Sequence, residues 1–183
     1  MEKSELRRKI KAMKSLMLDM EKVEAADAVF RQLEQTAAFI MSENILMYHS
    51  LPDELSTHSF LRKWAGKKHF FLPRVNGVNL EILPYEESRL ELGAFHIEEP
   101  SGQDTIDVEH IEMIVVPAIA YDRRGNRLGR GKGFYDRLLG DSKAIKVGVG
   151  YEFQLVDEVP VEAHDVSMDM VISPSGCIVI KKR

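Results

Sequence analysis

The chain holds a single cysteine, Cys177, and a single tryptophan, Trp64, among 183 residues. One thiol can neither close a disulfide scaffold nor make a Cys-based zinc site, and such scarcity suits a reducing cytoplasm. Long apolar runs are missing too. The best, Met113 to Tyr121, is interrupted by Pro117 and falls well short of the roughly 20 residues a membrane helix needs, which excludes a membrane protein of that kind. Glu2, Glu5 and Asp19 break up the basic N-terminus and no apolar stretch with a cleavage site follows, so neither a signal nor a transit peptide is expected. Basic excess is also lacking: a formal net charge of -4 argues against bulk nucleic-acid binding, and any anion site has to be made locally. With no repeat, low-complexity tract or linker, residues 1–183 are expected to form one domain, of a size that removes roughly 70% of its extended surface from water.

What charge there is lies unevenly. Lys3, Arg7, Arg8, Lys9, Lys11 and Lys14 make the first 14 residues a basic arm. Residues 81 to 112 carry ten acids against Arg89 alone and read as a solvated, loop-rich face. Residues 123 to 137 are basic again, with Asp136 as the one acid, and here the cations coincide with glycine.

Periodicity supplies the fold class. Leu6, Ile10, Met13 and Met17 recur at spacings of four, three and four, the stripe of an amphipathic helix. Ala25 to Met41, free of Gly and Pro, predicts a second helix with Val29, Leu33, Ala37 and Ile40 on its buried face. Short apolar runs follow: Ile45 to Tyr48, His69 to Leu72, Val78 to Leu83, Met113 to Val116, Ala144 to Val149, Met170 to Ile172 and Cys177 to Ile180 read as strands. Helices are predicted from Ser56 or Thr57 through Trp64, and from Phe134 to Leu139. Pro174-Ser175-Gly176 marks a tight final turn. The expectation is an α/β protein layered α/β/α, with a mixed, mostly parallel central sheet and a C-terminal hairpin.

The richest segment runs from Val115 to Leu139. An apolar strand leads in, an amphipathic helix leads out, and four of the chain's twelve glycines fall between residues 125 and 133. Gly129, Gly131 and Gly133 alternate with Arg130 and Lys132, so the backbone can approach a ligand closely with cations alongside. Phosphate is the natural ligand for amides and cations together. Neither common nucleotide fingerprint fits: Asn126 stands where G-x-x-x-x-G-K-[ST] requires glycine, and Phe134 and Asp136 stand where G-x-G-x-x-G does. By composition alone, a solvent-exposed turn kept soluble by its cations is an equal reading.

Arg127 to Arg137, read RLGRGKGFYDR, resembles the signature of the 5-formyltetrahydrofolate cyclo-ligase family, also called 5,10-methenyltetrahydrofolate synthetases. Three weaker segments agree with it in order along the chain. Lys3-Ser4-Glu5-Leu6-Arg7 resembles the family's K-x-x-L-R helix start, Asp53 to Thr57 its D-E-x-x-T segment, and His164 to Asp169 its H-D-x-x-x-D segment. The resemblance implies ATP- and Mg2+-dependent conversion of 5-formyltetrahydrofolate, with or without a polyglutamate tail, to 5,10-methenyltetrahydrofolate. The enzyme implied is a cytoplasmic monomer or weak homodimer without nucleic-acid or membrane partners.

The same resemblance assigns residues. ATP would meet Lys3, Ser4, Glu5, Leu6 and Arg7 on the first helix, and Arg127, Leu128, Gly129, Arg130, Gly131, Lys132, Gly133, Phe134 and Tyr135 in the loop. The folate would meet Arg7, His49, Leu51, Glu54 and, in the loop, Arg130 through Phe134, with Glu54 accepting from the pterin N–H groups. Arg130, Lys132 and Tyr135 would carry the chemistry, and Asp136 and Asp169 the metal. Phe134 departs from the tyrosine many members have there, so a hydroxyl contact is lost while ring packing survives. Each residue has a blander reading as well: Lys3 and Arg7 as a solvated helix face, Asp136 as an ion-paired acid, Asp169 as a strand-end acid, and Tyr135 as a core anchor. Two other functions stay open on sequence: a relative that binds nucleotide or folate without turnover, and an ATP-using enzyme of this fold acting on another amide.

Overall fold

The computed structural model describes residues 1–181. In chain order the helices are α1 (Lys3–Ser15), α2 (Asp19–Leu33), α3 (Ala37–Met41), α4 (His58–Trp64) and α5 (Phe134–Gly140). The strands are β1 (Asn44–Leu46), β2 (His69–Asn76), β3 (Asn79–Pro84), β4 (Leu90–Leu92), β5 (Glu98–Pro100), β6 (Met113–Val116), β7 (Ala120–Tyr121), β8 (Arg127–Leu128), β9 (Ile145–Val149), β10 (Met170–Ser173) and β11 (Gly176–Val179). Seven of them form one sheet in the order β11-β10-β9-β6-β1-β2-β3. The inner pairings are parallel and both edge pairings antiparallel, so the expected mostly parallel sheet with a C-terminal hairpin is present. Among the described residues, no helix is long and apolar enough to cross a membrane.

Alternation along the strands sorts the core into two faces, because successive strand side chains point oppositely. Ile45, Phe70, Leu72, Met113, Val115, Val147 and Ile172 pack with Val29 and Leu33 of α2, Phe39 of α3 and Phe60 of α4. Leu46, Phe71, Ile114, Val116 and Val171 face the other way, against Leu139 of α5 and Ile111 and Met168 from the connections. Helix α1 covers neither face. Its Leu6 and Ile10 bury against Ala120 of β7, Leu128 of β8 and Val159. Burial of two such side chains is worth roughly 1.5–3 kcal/mol each, enough to dock a short helix onto a two-stranded hairpin.

Three expectations change. The run from Ala25 to Met41 is not one helix: α2 starts earlier, at Asp19, and ends at Leu33. Thr36 then caps α3, its hydroxyl accepting from the Phe39 N–H at 3.1 Å. With the phase reset, Ile40 is 63% exposed instead of facing the core. Second, the strand after His69 extends to Asn76 and turns through Gly77 and Val78 into β3, a hairpin at the opposite edge of the sheet. Third, the acidic stretch is not merely a solvated face. Glu99 is buried and accepts from the Val75 N–H at 2.7 Å, tying β5 to β2, while Glu112 accepts from the Glu43 and Asn44 amides.

Candidate active site

The carboxyl ends of β1 and β6 open into a cavity of about 610 Å3, the place where open α/β sheets gather ligands. Chain leaving β1 forms one wall through Tyr48, His49, Leu51 and Glu54. Glu54 turns this segment back on itself: its N–H donates to the Leu51 carbonyl, and its Oε1 accepts from the Leu51 N–H at 2.9 Å. Its side chain is 13% exposed, and burial raises its pKa against the opposing pull of the Leu51 amide and Arg130. His49 stacks on His58 at 4.0 Å and lies 3.3 Å from Glu98. Burial, then the neighbouring His58, lowers the His49 pKa.

Chain leaving β6 forms the opposite wall. Asp122, fully buried, accepts from the Arg124, Asn126 and Val159 amides and the Asn126 side chain, so the turn between β7 and β8 is fixed from within. The glycine loop leaves this hairpin. Gly131 (φ 102°) and Gly133 (φ 74°) hold left-handed conformations open to few other residues, and Gly133 delivers the chain into α5. The loop's cations divide into two sets. Arg127, 7% exposed, donates to the Pro117 carbonyl, lies 3.7 Å from Asp136 and stacks over Tyr135 at 5.3 Å, so it belongs to the frame. Lys132 is exposed, 5.5 Å from the Phe95 ring, and Arg130 is about half exposed, 3.3 Å from Asp53 and 3.8 Å from Glu54.

Helix α1 closes the cavity from the side, with Lys3 and Arg7 both lining it as their i, i+4 spacing requires. Arg7 Nε donates to the Gly129 carbonyl at 3.0 Å, while Lys3 reaches Glu162 at 3.2 Å and Asp165 at 3.6 Å. The rest of that motif is not brought in. Ser4 and Glu5 are exposed away from the lining, and Leu6 is buried on the hairpin beneath. In the loop, Leu128 through Asp136 all line the cavity, as does Arg127. Burial, with the Glu54 charge second, drives the Tyr135 phenol well above its ordinary pKa, so it stays a neutral hydroxyl.

The two acids expected at one metal are separated. Asp136 lines the cavity, but Asp169 sits just before β10, at the amino ends of the parallel strands, opposite the opening. There its Oδ2 accepts from the Lys146 N–H at 2.8 Å and its own N–H donates to the Lys146 carbonyl. Of the acids in the His164-Asp165 segment, Asp165 lines the cavity. Sequence reasoning also missed a wall made by the β4–β5 hairpin, which presents Phe95, Ile97, Glu98 and Glu99. The signal available was Phe95 and Ile97 standing inside an otherwise acidic run.

A cationic glycine loop facing a buried carboxylate across one cavity suits an enzyme that brings a nucleotide's phosphates to a polar second substrate. The model of the 5-formyltetrahydrofolate cyclo-ligase family matches residues 1–174. The 5-formyltetrahydrofolate cyclo-ligase of Escherichia coli K12 is 32% identical over 146 residues, covering 74% of this chain and 80% of that protein. That of Haemophilus influenzae is 26% identical over 176 residues, covering 91% and 94%. The solution structure of Aquifex aeolicus 5,10-methenyltetrahydrofolate synthetase superposes with a TM-score of 0.91 at 30% identity, over 100% of this chain and 95% of that one. The chain belongs to the 5-formyltetrahydrofolate cyclo-ligase family. It is an enzyme of that activity, an ATP-dependent ligase acting on a folate.

Proposed function

We propose that the glycine loop binds the triphosphate of ATP while Glu54 anchors the pterin of 5-formyltetrahydrofolate, so that the formyl oxygen meets the γ-phosphorus between them. The observation that carries this reading is the placement of Glu54 on one wall and of Arg130 and Lys132 on the other wall of a single cavity. The formyl group on N5 is an amide whose oxygen is a poor leaving group. Transfer of the γ-phosphoryl group onto that oxygen, with loss of ADP, makes it a good one. N10 then attacks the formyl carbon, its proton passes to solvent, and the C–O bond breaks to release phosphate as the ring closes with N5 bearing the double bond.

The protein's part is alignment and charge neutralisation. Lys132 and Arg130 stand exposed at the cavity wall to meet the charge that develops on the transferring group. Lys3 and Arg7 supply cations from α1, and the neutral Tyr135 hydroxyl donates a hydrogen bond without competing as a base. His49, Leu51 and Phe134 complete the folate wall. The donor set fits magnesium, which takes one or two carboxylates and leaves its other positions to phosphate oxygens and water. Asp136, with Asp165 in place of Asp169, would hold the ion, and its charge would offset that of the phosphates. The reading extends to one domain over residues 1–183, acting in the cytoplasm as a monomer or weak homodimer and accepting folates with or without a polyglutamate tail.

The direct test mixes purified protein with 5-formyltetrahydrofolate and MgATP and follows absorbance of the conjugated methenyl product together with ADP release. Equimolar appearance of the two is expected. Product without ATP, or ADP without product, would remove this assignment.

A further inference from the structure

Lys14 has no place in the mechanism above, yet its side chain is only 5% exposed. It follows Lys3 and Arg7 by eleven and seven residues, so all three cations share one face of α1. Each reaches a different segment around the cavity. Lys3 meets residues 162 and 165, Arg7 meets the Gly129 carbonyl, and Lys14 Nζ lies 3.7 Å from Asp53 Oδ2. The second oxygen of Asp53 accepts from Arg130 at 3.3 Å, and the same Arg130 nitrogen lies 3.8 Å from Glu54. Charges therefore alternate along one chain of contacts whose ends are buried and whose middle is half-exposed: Lys14, Asp53, Arg130, Glu54.

We propose that Lys14 is a positioning residue for nucleotide binding: by holding Asp53 against α1, it keeps that carboxylate from closing fully on Arg130 and so leaves the guanidinium free to exchange onto phosphate. Asp53 is half-exposed at the rim and offers Arg130 the same paired-oxygen geometry that a phosphate does, which makes it a competitor of the ligand. Shared between two cations, it aims Arg130 without neutralising it. Burying an ammonium is costly, and burial lowers the Lys14 pKa while Asp53 opposes that shift. A methionine would fill the same space without the cost, so a purely space-filling role gives no reason for the charge. The inference rests on the proposed meeting of Arg130 with the triphosphate.

The test compares Lys14→Met, Lys14→Arg, Asp53→Asn and the double variant K14M/D53N in the intact chain. Two readouts are used: calorimetric titration with MgATP in the absence of folate, and steady-state KM and kcat. K14M is expected to weaken nucleotide binding and raise the KM for ATP roughly tenfold with kcat nearly unchanged, the size of coupling seen between charges of one network. K14R keeps wild-type affinity, and K14M/D53N recovers most of the loss because the unbalanced carboxylate has gone. Wild-type affinity in K14M, or no recovery in the double variant, would overturn the proposal. Should K14M not fold, the comparison of D53N with K14M/D53N carries the test: adding K14M to D53N leaves affinity unchanged, and a further loss refutes the role through Asp53. A wild-type chain that binds MgATP but makes no methenyl product refutes the folate assignment while leaving the Lys14 comparison readable. One that binds no MgATP refutes both.

Discussion

The glycine loop and the β4–β5 hairpin face each other across the same cavity and are held in opposite ways. The loop is tied to the framework from several directions: Arg7 to the Gly129 carbonyl, Arg127 to the Pro117 carbonyl, Arg137 to the Lys132 carbonyl, and the Ile119 amide to the Leu128 carbonyl. The hairpin is anchored at its base, where Glu99 holds the Val75 amide and Arg89 reaches Ser101 and Asp104. At its tip, Phe95 and His96 both occupy left-handed conformations that cost non-glycine residues energy, and the Phe95 ring is 56% exposed. Where charge must be aimed, the backbone is locked and the cations project from it. On the proposed reading, the flat pterin would meet an aromatic ring offered from a strained tip.

The contrast can be broken first at Lys132. Its ammonium is exposed and bonded to no carboxylate among the described contacts, so Lys132→Ala is expected to leave the melting temperature nearly unchanged while turnover falls about 100-fold, the usual cost of a lost transition-state charge contact. Parallel losses of stability and rate, measured by thermal melts and steady-state kinetics, would make it a frame residue like Arg127.

Glu54→Gln tests the opposite wall. Because burial raises the Glu54 pKa, the folded protein keeps this proton at pH values where the unfolded chain has released it. The resulting stability cost is absent below the unfolded pKa and complete above the folded one. Glutamine retains an acceptor for the Leu51 amide and removes that cost. The variant should therefore melt at or above the wild type at neutral pH, with the gap closing on acidification, while the folate KM rises at least about tenfold through loss of a charged hydrogen bond. A variant that melts lower at neutral pH would mean that Arg130 stabilises the carboxylate more than burial opposes it.

Asp136→Asn sharpens the division between frame and ligand cations, since this acid touches Arg127 and faces the cavity. The magnesium concentration for half-maximal rate should rise roughly several-fold, as for loss of one of two carboxylate ligands. An unchanged magnesium titration would leave Asp136 with Arg127 alone. The smallest effect belongs to the tip: Phe95→Ala should raise the folate KM by about 3- to 10-fold, the worth of one aromatic contact, with the KM for ATP little altered. A larger change for ATP than for folate would mean that the ring serves Lys132, 5.5 Å away, and not the pterin.

What was legible in the sequence follows from which signals are local. The β6 run is a fully buried apolar segment and the β1 and β9 runs are mostly so, and the glycine loop announces itself by residue types that few other structures need. The i, i+4 spacing of Lys3 and Arg7 gives their shared face without any tertiary information. Other features depend on partners distant in the chain. The sequence points to Asp169, whereas the direction of β10 puts Asp165, four residues earlier, at the opening. Thr36 ends one helix and starts another through a side-chain bond that a count of apolar residues cannot register. Glu99 looks solvated until β5 brings it beneath the Val75 amide, and Lys14 looks like one more surface cation until Asp53, about forty residues later, covers it.

The docking of α1 also depends on segments made much later in synthesis. Its buried contacts are Ala120, Leu128 and Val159, all made more than a hundred residues after Leu6 and Ile10. On the ribosome this amphipathic segment must wait, its greasy stripe unmet, until most of the polypeptide has emerged. A helix made well before its partners is thus among the last to seat.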